Sequence, residues 1–119
     1  MFSFENLEVY QKSILLVKRI YKLLDSFPTI EKYALCDQIR RAIVSVPSNI
    51  AEQSGRTSPK EKIHFLEIAF GSLMETYCQI QIAVELGYIS EHNFIEIKDD
   101  FTLISKLLSG LKRSFSKTL

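Results

Sequence analysis

Gln38-Ile39-Arg40-Arg41-Ala42-Ile43-Val44-Ser45-Val46-Pro47-Ser48-Asn49-Ile50-Ala51-Glu52 lies near the middle of the chain. Its apolar residues return at helical intervals. Ile39, Ala42 or Ile43, Val46 and Ile50 step by three and four, which places them on one face of an α-helix. Pro47 sits inside that pattern. It offers no N–H to the carbonyl of Ile43, and its ring crowds the same carbonyl, so the sequence predicts a kink there. Ser45, Ser48 and Asn49 cluster at the break, where their side chains can bond freed backbone groups or a neighbouring helix. Two readings of this polar seam follow. It satisfies a kinked core helix, or it fixes which surface meets a partner.

Upstream, a helix is predicted from about Leu7 to Phe27. Leu7, Tyr10, Ile14, Val17, Tyr21 and Leu24 form a heptad seam. A second stripe of Val9, Leu16, Ile20, Leu23 and Phe27 lies beside it, and together they are wider than one partner helix requires. The second stripe is therefore expected either to pack a further neighbour in a bundle or to form a subunit interface. Phe27-Pro28 ends the segment, because proline disfavours a helical residue before it. The central helix spans about Lys32 to Ser54, with Gly55 placed for a left-handed cap.

Downstream, Ser58-Pro59-Lys60-Glu61 carries an N-cap serine, a proline at the first helical position and a glutamate that completes a capping box. The helix it opens runs to about Leu86 and stops at Gly87. Its seam is Ile63, Leu66, Phe70, Leu73, Tyr77, Ile80 and Val84. Gly71 lies mid-helix at a cost of about 1 kcal/mol against Ala, which a closely approaching helix would offset. Ser90 and Glu91 open a last helix with the seam Phe94, Ile97, Phe101, Ile104, Leu108, Leu111 and Phe115. No strand pattern or repeat array interrupts the series, and the linkers are short. The fold expected is all-α, an antiparallel up-down-up-down four-helix bundle forming one domain over residues 1–119.

The 119 residues suffice for a core, since a chain of this size buries roughly two-thirds of its unfolded surface. A hydrophobic share of 46% is that of a globular domain, and a net charge of +1 argues against a general polyanion binder. Cys36 and Cys78 match no metal or redox spacing. With Glu5 and Glu8 where a signal peptide needs an apolar run, they lead us to expect reduced thiols and a cytoplasmic location. No uncharged stretch reaches the length of a membrane span, so no membrane partner is expected.

The bundle topology gathers charges that are distant in sequence. Arg56, Lys60, Lys62, Lys112, Arg113 and Lys117 come to one end, with Glu52 and Glu61. Asp25, Glu31, Glu85, Glu91 and Glu96 come to the other, with Lys22 and Lys32. Such polarisation is an ordinary solvated surface or a patch for phosphates. The candidate nucleic-acid residues are Arg40, Arg41, Arg56, Lys60, Lys112 and Arg113. Catalytic chemistry is not evident. Glu61-x-x-His64 is half of a di-iron bundle signature, and the second half is missing. No serine or cysteine has a recognisable histidine–acid set. Gly55, Gly71, Gly87 and Gly110 are isolated and build no phosphate loop. No enzyme, cofactor, metal or small-molecule substrate is expected.

Several blocks resemble a known family: Phe4-x-x-Leu7-x-Val9-Tyr10-Gln11-Lys12, Phe27-Pro28-x-x-Glu31-x-Tyr33-x-Leu35, Gln38-Ile39-x-Arg41-Ala42, Ser45 to Glu52, and Phe65-Leu66-x-Ile68-Ala69-x-Gly71-Ser72-Leu73-x-Glu75. Together they look like the bacterial four-helix-bundle proteins named for the 23S rRNA intervening sequences in which some are encoded. Asn49-Ile50-Ala51-Glu52 and Gly71-Ser72-Leu73-x-Glu75 are the most specific parts, and Gln53 stands where the family usually carries glycine. The resemblance implies a cytosolic, helical bacterial protein without known enzymatic activity. The chain is also similar to the accessory variability-determinant proteins of diversity-generating retroelements, which form rings of five subunits and bind a reverse transcriptase and nucleic acid. Those proteins are strongly basic, unlike this chain. The reading that results is a non-enzymatic homo-oligomeric scaffold, a ring of five, with the interface on Val9, Leu16, Ile20, Leu23 and Phe27. The alternative is a nucleic-acid-binding accessory protein that uses the basic end.

Overall fold

A computed structural model describes residues 1–119. Four helices make up the chain: α1 (Glu8–Leu23), α2 (Leu35–Ser54), α3 (Pro59–Glu85) and α4 (Glu91–Ser116). They enclose one core in a molecule about 46 Å long and 24–25 Å across. Each helix packs against its sequence neighbours, and α1 closes the square against α4. The α2/α3 contact is the most extensive, while α1 and α3 stand diagonally apart. The antiparallel four-helix bundle is as the sequence predicts.

Helix boundaries follow local chemistry. Glu61 N–H donates to Ser58 Oγ at 3.0 Å, and Pro59 occupies the first helical position of α3. Only half of the expected capping box forms, because the exposed Glu61 carboxylate does not return to Ser58. Ser90 caps α4 through Asn93 N–H at 3.1 Å. The left-handed cap lies at Gly87 (φ 80°) and not at Gly55, whose φ of −84° is right-handed. Tyr88 N–H bonds the Ala83 carbonyl at 2.9 Å and Gly87 N–H that of Val84 at 3.0 Å, which stops α3 with two of its orphan carbonyls satisfied. α1 ends four residues before the predicted Phe27, as its last turn tightens into a 3-10 turn at Leu24–Ser26. α2 begins at Leu35 and not Lys32, since Thr29–Glu31 forms a separate 3-10 turn after Pro28. α2 is continuous through Pro47.

The core seams of α2 and α4 are as expected. Ile39, Ile43, Val46 and Ile50 share one core with Ile97, Phe101, Ile104 and Leu108, all buried. α1 departs from expectation. Val9, Leu16 and Ile20 are buried inside this chain's own core, and Leu23 and Phe27 pack against it. The stripe expected to form a subunit interface is therefore covered within the chain, and it does not supply an outer surface. Of the heptad seam, Leu24 is buried and Leu7, Tyr10 and Val17 pack against the core, while Ile14 is left 43% and Tyr21 42% exposed. The second stripe takes the inner position because α1 faces two neighbours, α2 and α4, and the residues between them point to the bundle axis. In α3, the small residues Ala69, Thr76 and Ala83 join Leu66, Leu73 and Ile80 in the core, and Phe70 is pushed to the rim at 37% exposure.

Candidate interaction surface

The polar seam is built across the α2/α3 contact. Ser45 Oγ of α2 lies 2.8 Å from Ser72 Oγ of α3. Asn49 Nδ2 donates to Ser45 O at 2.8 Å and to Ser45 Oγ at 2.9 Å. Thr76 Oγ1 donates to Ser72 O at 2.8 Å. Ser45 and Asn49 therefore fix the register of two helices. Ser48 is exposed and points away from them, into a groove between α1 and α2.

The expected basic patch does not assemble as one surface. Arg40 and Arg41 occupy the first turns of α2 and Arg56 follows its last, so the two groups stand roughly 20 Å apart along the helix axis. Most of these cations are already engaged. Arg40 donates to the Lys32 carbonyl at 2.8 Å. Arg41 pairs with Asp37 at 3.0 Å and Lys112 with Glu67 at 3.2 Å. Arg56 pairs with Glu52 and lies over the Phe65 ring, 4.7 Å from its centroid. Lys62, at the same end, donates to the Gln53 carbonyl at 3.1 Å. Lys60, Arg113 and Lys117 make no ion pair. Glu5 and Glu8, from the start of the chain, also belong to this end and reduce its charge.

The titratable groups that stand out are structural. Burial pushes the Cys36 thiol above the ordinary cysteine range, against a smaller opposing pull from Arg40, so it stays protonated at neutral pH. The Tyr88 phenol donates to Glu31 Oε2 at 2.9 Å, and that bond holds its pKa above the usual tyrosine value. Glu61 and His64 are both exposed, and no three His, Cys, Asp or Glu side chains converge on a point. No helix is long and apolar enough to cross a membrane.

Among the uncovered apolar surfaces are a groove and a row. One is a shallow groove of about 300 Å³ between α1 and α2, lined by Tyr10, Ile14, Val17, Val44, Pro47, Ser48 and Ala51. The other is a row on the outward face of α3, where Phe70, Met74, Cys78, Ile82 and Leu86 follow one another at intervals of four. Ile82 is 45% and Leu86 54% exposed, and Cys78 is exposed beside them. Sequence reasoning passed over this row because it followed the seam. The signal was present nonetheless: from Ile63 to Leu86, α3 carries apolar residues around its whole circumference, a composition proper to a helix covered on all sides. Gly71 lies on the same outward face, and a Cβ there would meet nothing within 4 Å. No helix of this chain approaches it closely, contrary to expectation.

No curated protein matches the chain. Among solved structures, a protein of unknown function from the S23 ribosomal protein family of Bacteroides thetaiotaomicron superposes with a TM-score of 0.80 at 28% identity, over 88% of this chain and 95% of that one. Its bundle is the one described above. The sequence pattern of the 23S rRNA-intervening sequence proteins matches residues 5–110, which takes in all of α1, α2 and α3 and most of α4. By that match and that shared bundle, the chain belongs to the 23S rRNA-intervening sequence protein family.

Proposed function

We propose that this protein is a non-enzymatic scaffold that works as a homo-oligomer in the cytoplasm, in a closed ring. The number of copies, five, follows the resemblance to accessory variability-determinant proteins. The observation that carries the reading is α3, a helix whose outward row Phe70, Met74, Cys78, Ile82 and Leu86 is apolar and exposed in addition to its buried inner face. Contiguous apolar surface of this kind marks a protein–protein contact. The experiment is solution mass by light scattering after size exclusion, in low and high salt. A multimer that persists in high salt is expected, because burial of apolar area is not screened. A monomer at tens of micromolar overturns the reading.

Lys60, Arg113 and Lys117, free of ion pairs at one end of the bundle, favour a second reading, nucleic-acid binding. A ring would multiply this modest patch by its copy number. Binding to short RNA should then fall steeply with salt. Binding that ignores salt, or that survives alanine at Lys60 and Arg113, removes it.

A further inference from the structure

A cleft of about 610 Å³ opens between α1 and α4, the least extensive of the four contacts between neighbouring helices. Its size is that of small-molecule sites, which run to roughly 300–1,000 Å³. The floor is apolar, made by Leu23 and the buried Ile97. One wall is α1, with Arg19 and Lys22, and the other is α4, with Asn93 and Glu96. Ser26 bounds one end, its hydroxyl 2.8 Å from the Tyr88 carbonyl. Arg19 bounds the other end, held by Asp100 at 2.6 Å.

Lys22 and Glu96 are left over inside that frame. They line opposite walls and form no ion pair with each other. Lys22 has no ionic partner at all. Glu96 offers one carboxylate oxygen to His92 at 3.1 Å and keeps the second. Asn93 uses its backbone N–H on Ser90, and its side-chain amide stays available. Helix-end electrostatics accounts for Lys22, in the last turn of α1. It does not account for Glu96, which lies beyond the first turn of α4, where the dipole has faded. A ligand with a single charge meets one attractive wall and one repulsive wall in this cleft. A ligand that carries both charges is attracted by both. We infer that the α1/α4 cleft binds a small zwitterion, a free amino acid or dipeptide with an aliphatic side chain. Its carboxylate faces Lys22, its ammonium faces Glu96, and its aliphatic part rests on Leu23 and Ile97. The whole site lies within one chain, so it stands apart from self-assembly.

Methyl NMR of the intact protein tests this. The Leu23 and Ile97 methyl signals should shift saturably with L-leucine and with L-leucyl-L-alanine, while those of Ile50 and Leu66, toward the other end of the bundle, stay in place. Whichever of the two binds tighter sets the length of the ligand. Isocaproate lacks the ammonium and isoamylamine lacks the carboxylate, and each should bind about three- to tenfold more weakly than leucine. Lys22→Met should bring leucine down to the level of isoamylamine, and Glu96→Gln should bring it down to that of isocaproate. Both positions are exposed, so helical circular dichroism should not change. Lys22→Glu/Glu96→Lys reverses the two walls together and should return binding, since the ligand can turn end for end. The inference is overturned if neither floor signal moves at tens of millimolar ligand. It is overturned equally if the one-charge analogues bind as tightly as leucine, or if both single variants keep the wild-type preference.

Discussion

α1 carries two apolar stripes of nearly equal strength, and one is buried more completely than the other. Val9, Leu16 and Ile20 are at most 4% exposed, while Ile14 and Tyr21, one helical face away, keep more than two-fifths of their surface in water. Composition does not separate them, since both stripes are aliphatic and aromatic at helical spacing. The difference is set by the axis of the bundle: the first stripe points between α2 and α4 into the shared core, and Ile14 and Tyr21 lie outside it. Periodicity reveals that a face is apolar. What covers it is decided by the number of partners within reach.

Leu16→Ala should have the largest effect. Leu16 is fully buried, so truncation leaves a cavity and costs about 2–5 kcal/mol in denaturant unfolding. A cost under 1 kcal/mol would mean that the inner stripe is not the core. Gly71→Ala comes next and has the opposite sign. A Cβ there stands in open space on a right-handed helix, so the chain should gain up to about 1 kcal/mol. If the gain appears in the dilute chain but self-assembly weakens, a neighbouring copy approaches that position. Ile14→Ser should change the stability of the dilute chain by no more than about 0.5 kcal/mol, as expected of a surface position. A loss above about 1 kcal/mol in denaturant unfolding would move Ile14 into the core. The smallest effect concerns Tyr88 and is confined to alkaline pH. Its pKa is raised in the fold, so its contribution is complete below the unfolded value of about 10 and disappears as pH rises through the folded one. Tyr88→Phe should flatten that alkaline decline in thermal melts, and an unchanged decline would assign it to other groups.

Much of this was legible in the sequence. Ser58-Pro59, Ser90 and Gly87 mark helix ends through chemistry that acts within a few residues, and the seams of α2 and α4 are the buried faces observed. Gly55 misled because a glycine after a helix permits a left-handed cap without requiring one. The inner and outer stripes of α1 could not be told apart, since their fates depend on α4, more than sixty residues away. The basic surface dissolved for a similar reason. Glu67 reaches Lys112 only through the fold, whereas Asp37–Arg41 and Glu52–Arg56 are four-residue pairs that helical spacing already offers.

Tyr88 and its neighbours give the bundle unequal ends. The phenol reaches Glu31, and the Ser26 hydroxyl lies 2.8 Å from the carbonyls of both Leu23 and Tyr88, with one proton to serve them in turn. The loop from α1 to α2 is thereby clasped to the turn from α3 to α4. At the far end only the four residues Gly55 to Ser58 join two helices, and the ties from α3 to α4 are two lysine contacts, Lys62 over the Phe115 ring and Lys112 with Glu67. Warmed gently, the molecule should unzip from that loose end: amide protons near Glu8 and Ser116 should exchange with solvent well before those near Leu23 and Phe94, so that the clasp acts as the hinge about which the helices first part.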